Sequence, residues 1–309
     1  MLGKCFDIAG KVFVLGEYAV LGCLPALVAS VAPRFSGYLC EPPAEGADYH
    51  LESPVGRFLR WALEHRGVSY SFHFEDPYQS GGFGASTAQF AIAYAAGAER
   101  LELSRDWRSV WRFYRDLTAT DGLVPSGADL AAQLRGGVTI FDPASLTCQD
   151  LWAEFDWSRL LVFAPDAQPD RKVATHTHLK ALSDSQETAG HAQLFARLAR
   201  PLTNGLDAIR RQDVRALGEA LNNYADVLAD SGLEMRRTFE DRRALAKLPG
   251  VCGVKGSGAL QADIVLALIA PGADAEPVVR LAQTRALKPI CRGLAWQAGI
   301  TRRGRGRSA

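Results

Sequence analysis

Ser80-Gly-Gly-Phe-Gly-Ala-Ser-Thr-Ala-Gln-Phe90 sets three glycines and three small hydroxyl residues in its first eight positions, then runs straight into Ala-Ile-Ala-Tyr-Ala-Ala-Gly97. A glycine-rich loop that feeds an alanine-rich helix has a physical use. The first four N–H groups of a helix lack intrahelical partners, and the macrodipole adds about half a positive charge there, so bare backbone lets an anion reach those donors. The same residues also suit a plain turn with a Ser/Thr helix cap. The loop is not a Walker A sequence, since no Gly-Lys-Ser/Thr follows, and not a dinucleotide fingerprint, since the third glycine is missing. Its meaning depends on what else in the chain agrees with it.

The 309 residues are 48% apolar and 22% charged, enough for two domains with substantial cores. With 35 basic and 34 acidic residues the formal charge is +1, which offers no overall attraction to nucleic acid or an anionic membrane. The basic run Arg302-Arg-Gly-Arg-Gly-Arg307 reads as a solvated, disordered tail over 301–309. Met1-Leu-Gly-Lys-Cys-Phe-Asp7 lacks the pattern of a signal peptide, and no apolar run nears the roughly 20 residues of a membrane helix, so a soluble, cytoplasmic protein is expected. Six scattered cysteines without a C-x-x-C pair signal neither a disulfide framework nor a zinc site. His176-x-His178 has no nearby cysteine or carboxylate cluster and reads as surface rather than metal ligand.

Short β-rich runs at Lys11–Leu15, Ala26–Val31 and Phe35–Leu39 predict a curled, mostly antiparallel sheet. Helices are predicted at Arg57–His65, 86–98 and Asp106–Leu117, with a strand at Tyr70–Phe74 between the first two. The pattern restarts near 150–158: a strand at Leu160–Ala164, helix from about 189 to 230 interrupted at Pro201, and helix near 234–247. A strand at Asp263–Ala270, a helix at Ala275–Ala286 and a strand near Ile290–Trp296 complete it. This order predicts a split βαβ unit whose helices cover one face of an antiparallel sheet, an α+β chain overall.

Three further segments join the loop. Gly10-Lys-Val-Phe-Val-Leu-Gly-Glu-Tyr-Ala-Val-Leu-Gly-Cys-Leu-Pro-Ala-Leu-Val28 resembles the first motif of the GHMP small-molecule kinases, and Gly82-Phe-Gly-Ala-Ser-Thr-Ala88 is similar to their second, which wraps the triphosphate. Gly253-Val-Lys-Gly-Ser-Gly-Ala-Leu-Gln-Ala-Asp263 resembles the third, and Ser126-Gly-Ala-Asp-Leu-Ala-Ala-Gln-Leu-Arg-Gly-Gly137 the helix that carries a catalytic aspartate. The chain departs from the pattern at Ala85, where the second motif has its first serine, and at Leu260-Gln261-Ala262, where the third has glycines. The resemblance implies the two-domain GHMP kinase fold. Residues 1–155 would be an N-terminal α/β domain of unusual topology and 156–300 a C-terminal ferredoxin-like domain, with ATP and acceptor between them.

Phosphoryl transfer asks for in-line positioning and for positive charge where the transferred group spreads its negative charge. Ser126 is placed to cap a helix with Asp129 in its first turn, where the dipole favours an ionised carboxylate. The resemblance makes Asp129 the residue that accepts or orients the acceptor's proton and pairs it with Lys11. It assigns nucleotide contacts to Gly82, Gly84, Ala85, Ser86 and Thr87, with Mg²⁺ reached by Ser86 and supported by Glu17. Acceptor contacts fall to Glu17, Tyr18, Lys172, Thr177, Lys255, Ser257 and Gly258. Gly-Glu-Tyr in motif one and Lys-Gly-Ser-Gly-Ala in motif three look like phosphomevalonate kinase, while Arg171-Lys-Val-Ala-Thr-His-Thr177 is similar to a mevalonate kinase segment. The implied partner is a small anionic acceptor such as phosphomevalonate or mevalonate, with no nucleic acid or membrane; a homodimer is open to it, as is a binding protein without turnover.

Overall fold

The computed structural model describes residues 5–41, 49–78, 81–119, 124–166, 188–258 and 264–303. Two antiparallel sheets organise them. The larger has the order β10-β1-β2-β4-β5, with β3 beside β2. Its strands are β1 (Phe6–Leu15), β2 (Ala26–Cys40), β3 (Ser71–Glu75), β4 (Val138–Asp142), β5 (Thr147–Asp150) and β10 (Thr301–Arg302). Helices α1 (Pro54–Arg66), α2 (Ala85–Gly97), α3 (Trp107–Thr118) and α4 (Ala128–Arg135) complete this part, and α2 and α4 lie against the central strands.

The two runs expected at 26–31 and 35–39 are one strand. Pairing slips from Ala9↔Arg34 to Gly10↔Val31, so the bulge absorbs Ala32 and Pro33, where a residue without an N–H breaks no ladder bond. Tyr78 fills that bulge. Its hydroxyl shares its one proton between Val31 O at 3.0 Å and Pro33 O at 2.5 Å, and its ring lies where any side chain at residue 10 would project, which explains Gly10. Thr301 and Arg302, assigned by sequence to a disordered tail, pair with Asp7 and Phe6 instead. Arg34, bonded to Asp7, Ala298, Gly299 and Thr301, holds that closing strand in place. The remainder of the basic run, 304–309, lies outside the described residues.

The second sheet has the order β7-β8-β6-β9, built from β6 (Leu160–Pro165), β7 (Val251–Ser257), β8 (Ile264–Ile269) and β9 (Leu287–Arg292). Helices α5 (Thr188–Arg210), α6 (Val214–Asp230) and α7 (Arg236–Leu245) connect β6 to β7, and α8 (Glu276–Thr284) connects β8 to β9. This is the predicted split βαβ arrangement, with two corrections: β7 runs through the third motif, where no strand is predicted, and both faces of the sheet are covered. Leu161, Phe163, Val265 and Ala267 pack with Leu245 of α7 and Val278, Val279 and Ala282 of α8, while Val162, Ile264, Leu266 and Leu268 join Leu217, Leu221 and Tyr224 of α6. An unbroken apolar strand such as Ile264-Val-Leu-Ala-Leu-Ile269 has no face to give to water.

Pro201 does not interrupt the long helix. α5 runs through it, and the break falls at 211–213, where Gln212 adopts φ +55° and Asp213 caps α6 by accepting from Ala216 N at 3.0 Å. Proline costs one backbone hydrogen bond, and the buried Leu198, Leu202 and Leu206 hold the helix on its course past that loss.

Two glycines let α6 touch β7. A Cβ on Gly218 would lie 2.4 Å from Cys252 O, and one on Gly253 2.3 Å from Gly218 O. Here β7 bulges between Val251 and Gly253, and Asn222 of α6 serves the groups left out of the ladder, donating to Cys252 O at 3.3 Å and accepting from Val254 N at 2.9 Å. Gly218→Ala is therefore expected to destabilise by about 1–3 kcal/mol, the usual cost of overpacking. The measurement is a lower denaturation midpoint at unchanged slope.

Candidate active site

The glycine-rich loop, the middle of β1 and the start of α4 meet around Lys11. Its backbone N donates to Phe83 O at 2.9 Å and its Nζ to Gly82 O at 3.1 Å, so the loop is folded over the lysine. Gly84 sits at φ +84° as the residue before α2, and a Cβ there would meet Lys11 Cγ at 2.9 Å and Cε at 3.1 Å. Only glycine combines that left-handed backbone with that close approach. Gly82 is likewise left-handed at φ +96°. No side chain caps α2, which leaves its first-turn N–H groups to an anion, and a phosphate chain fits this cradle.

Asp129 stands in the first turn of α4 and accepts from Leu130 N at 2.9 Å through Oδ1. Gly127, rather than the expected Ser126, takes the N-cap position, at φ +68°; Ser126 Oγ accepts only a long 3.4 Å bond from Ala128 N. A helix entered from the left-handed region cannot also present the preceding hydroxyl as a cap. Trp111 explains the glycine, because a Cβ there would lie 2.5 Å from Trp111 Nε1, which donates to Ser126 O at 3.1 Å. Burial lowers the Lys11 ammonium from its usual value, and the charges of Asp129 and then Glu17 oppose that shift. The ammonium is thereby poised between a carboxylate and the anion cradle.

The other predicted positions divide. Ala85 opens α2 and Ser86, exposed in its first turn, can reach a cation held by phosphate oxygens. Thr87 faces inward: its hydroxyl bonds Gly84 O at 3.0 Å and Gln133 Oε1 at 2.6 Å, so only its backbone remains for a nucleotide. Glu17 and Lys255, assigned by sequence to metal and acceptor, engage each other in a buried ion pair. Lys255 is 0% exposed, also donates to Gly256 O at 2.5 Å, and lies over the Tyr224 ring, whose hydroxyl bonds Glu17 O at 2.7 Å. Burial pushes the Glu17 carboxyl up from the usual carboxylate range, and the Lys255 ammonium pulls it back. Lys255 takes up Oε1 of this carboxylate and Oε2 has no hydrogen-bond partner among the described residues, among which no group of three His, Cys, Asp or Glu forms a metal cage. A hard cation here fits phosphate oxygens with Ser86.

Tyr18 is buried at φ +63°. Ser257 is buried at the end of β7 with no hydrogen-bond partner for Oγ among the described residues, and Gly258 follows at φ +110°. Arg171, Lys172, Thr177 and Asp263 lie outside the described residues. Sequence reasoning passed over Gln133, which is fully buried and reaches from α4 to the loop. Its signal was an amide one helical turn after Asp129, on a short helix whose Leu130, Ala131 and Ala132 are buried as well.

No family model matches the chain, and no curated protein matches it. Solved structures do. Streptococcus pneumoniae phosphomevalonate kinase superposes with a TM-score of 0.72 at 15% identity, covering 98% of this chain and 99% of that one, and has also been solved in complex with phosphomevalonate and AMPPNP. Lactococcus lactis galactokinase, complexed with galactose, gives 0.72 at 13% identity over 97% of this chain and 94% of its own. The L. major mevalonate kinase in complex with R-mevalonate gives 0.66 at 16%, over 96% and 95%. From end to end, the described chain has the fold of the GHMP small-molecule kinases.

Proposed function

We propose that this protein is an ATP-dependent kinase of the GHMP type that phosphorylates a small anionic acceptor, phosphomevalonate first and mevalonate second. One observation carries the reading. A buried lysine is held beneath an uncapped helix N-terminus on one side and in the field of Asp129 on the other. When bound, MgATP supplies the phosphoryl group. The cradle of Gly82, Gly84 and the first amides of α2 holds the phosphate chain, and Ser86 reaches the cation. Lys11 offsets charge on the transferred group, which in a site shielded from water is worth far more than in solution. Asp129 orients the acceptor. It takes the proton when the acceptor is a hydroxyl, whereas a phosphate monoester, with its second pKa near 6, arrives ionised and needs only positioning.

A coupled ADP-release assay over mevalonate, phosphomevalonate, diphosphomevalonate, homoserine and a panel of sugars tests the acceptor. Turnover confined to neutral sugars overturns the anionic class. MgATP at 100 times its dissociation constant should stabilise the fold by about 2.7 kcal/mol. No thermal shift and no calorimetric binding would remove the nucleotide from the proposal. Binding without turnover on any acceptor would instead support a metabolite-binding protein of the same fold. No described helix is long and apolar enough to cross a membrane.

A further inference from the structure

We infer that Gln133 is the positioning residue that fixes the anion loop and the Asp129 helix to the Lys11 strand, so that nucleotide affinity and turnover depend on one buried amide. The inference rests on the kinase reading above. Gln133 lies on α4 four residues after Asp129, so the two side chains leave the helix on the same side, one turn apart. It is 0% exposed. Its Nε2 donates to Ala9 O at 2.9 Å, two residues before Lys11 on β1, and makes a longer 3.4 Å contact to Gly84 O. The Thr87 hydroxyl shares its one proton between Gln133 Oε1 at 2.6 Å and Gly84 O at 3.0 Å. One side chain therefore links β1, the loop, α2 and α4.

The Ala9 carbonyl gives the amide its structural reason. It stands where the β1–β2 register slips between Ala9 and Gly10. An irregular ladder leaves carbonyls in need of donors, and a buried amide is satisfied only if each of its own groups is paired. The same arrangement has a functional consequence. Gly84 is the last loop residue before the helix amides, and its carbonyl is gripped by both Thr87 and Gln133, so the direction of those amides is set from α4. An apolar side chain of equal length would fill the space, leave Ala9 O without its amide donor and leave the Thr87 hydroxyl to Gly84 O alone, with nothing tying either to α4.

The test uses Gln133→Met, which keeps length and volume, with Thr87→Val removing the same bond from the other end and Thr87→Ser keeping it. Calorimetry with MgATP, steady-state kinetics and amide hydrogen exchange over 81–88 without nucleotide are the readouts. Gln133→Met and Thr87→Val should each weaken MgATP binding by about tenfold, the lower end of what losing a hydrogen bond behind a ligating residue costs at metal sites. Both should lower kcat and speed exchange in the loop. Thr87→Ser, which keeps the hydroxyl, should recover affinity and loop protection relative to Thr87→Val, and the double variant should be no worse than the weaker single, because both remove one link. Should Gln133→Met fail to fold, the Val and Ser variants at Thr87 decide alone. Lower melting with loop exchange and MgATP affinity both unchanged would show that Gln133 only fills space. If the parent protein itself binds no MgATP, the kinase reading falls and takes the functional part of the inference with it; unchanged exchange then removes the anchor as well.

Discussion

Lys11→Met and Asp129→Asn are expected to lower kcat and kcat/KM together, and comparison across acceptors separates their roles. Lys11 offsets charge on the transferred group whatever receives it, so its loss should cost about 10²–10³-fold with either acceptor, the range seen when one preorganised electrostatic contact is removed. Asp129→Asn keeps the shape and removes the charge and the proton acceptor. With a hydroxyl acceptor the loss should reach about 10²–10⁴-fold, the scale of general-base catalysis. With an already ionised phosphate the base is idle, and the loss should be far smaller. MgATP affinity should survive Asp129→Asn, since that side chain is hydrogen-bonded within its own helix, to Leu130 N. It should weaken in Lys11→Met, which gives up the bond to Gly82 O. Because the residues act on one transition state, the double variant should cost less than the product of the singles. Burial depresses the lysine, so the alkaline fall in kcat should come below the usual lysine value of 10.5 and should vanish in Lys11→Arg if that variant turns over. Normal turnover of a hydroxyl substrate by Asp129→Asn would reduce the aspartate to a helix-start residue.

What could be read in advance follows the range of the forces involved. Strand and helix identities are local, so the loop-to-helix step near 85 and the strands β6 and β8 were open to periodicity and capping rules, whereas β7, rich in glycine and bulged, was not. The glycines of the loop could be recognised because backbone conformation has a residue signature. Tertiary choices were less visible. Nothing local distinguishes Pro201, overridden by three buried leucines, from a proline that stops a helix. The second covered face of the β6–β9 sheet depends on helices more than fifty residues away from some of the strands they cover. In the site, residue types were legible and their partners were not. Lys255 and Glu17 each look like functional charges in isolation, and only the fold, joining positions 238 residues apart, shows that they face each other. Gln133 gave the weakest signal, since an amide on a helix is ordinary until its inward turn is known.

Removing one member of the Glu17–Lys255 pair is expected to cost more stability than any other single change at the site. Both groups are buried, Glu17 at 2% and Lys255 at 0% exposure, so neither has water to fall back on. Glu17→Gln leaves the Lys255 ammonium without its counter-charge in a low-dielectric setting, and breaking such a pair from one side typically costs about 3–5 kcal/mol. Lys255→Met leaves the carboxylate in the same position, with Oε2 already lacking a hydrogen-bond partner among the described residues. The combined variant Glu17→Gln with Lys255→Met removes both charges at once and should recover a large part of the loss, since replacing a whole buried pair by neutral groups is often nearly neutral. A denaturation series on the four proteins gives the coupling directly. The pair joins the turn after β1 to β7, so its loss should also raise the KM for the acceptor if Ser257 and Gly258 contact it. The opposite pattern is equally readable. A Glu17→Gln protein that melts normally but needs far more Mg²⁺ for turnover would make the glutamate a metal residue. Independent, additive losses in the two single variants would mean that the charges are held by other groups. Recovery in the double variant, with Mg²⁺ dependence unchanged, makes the pair a structural tie between the two sheets.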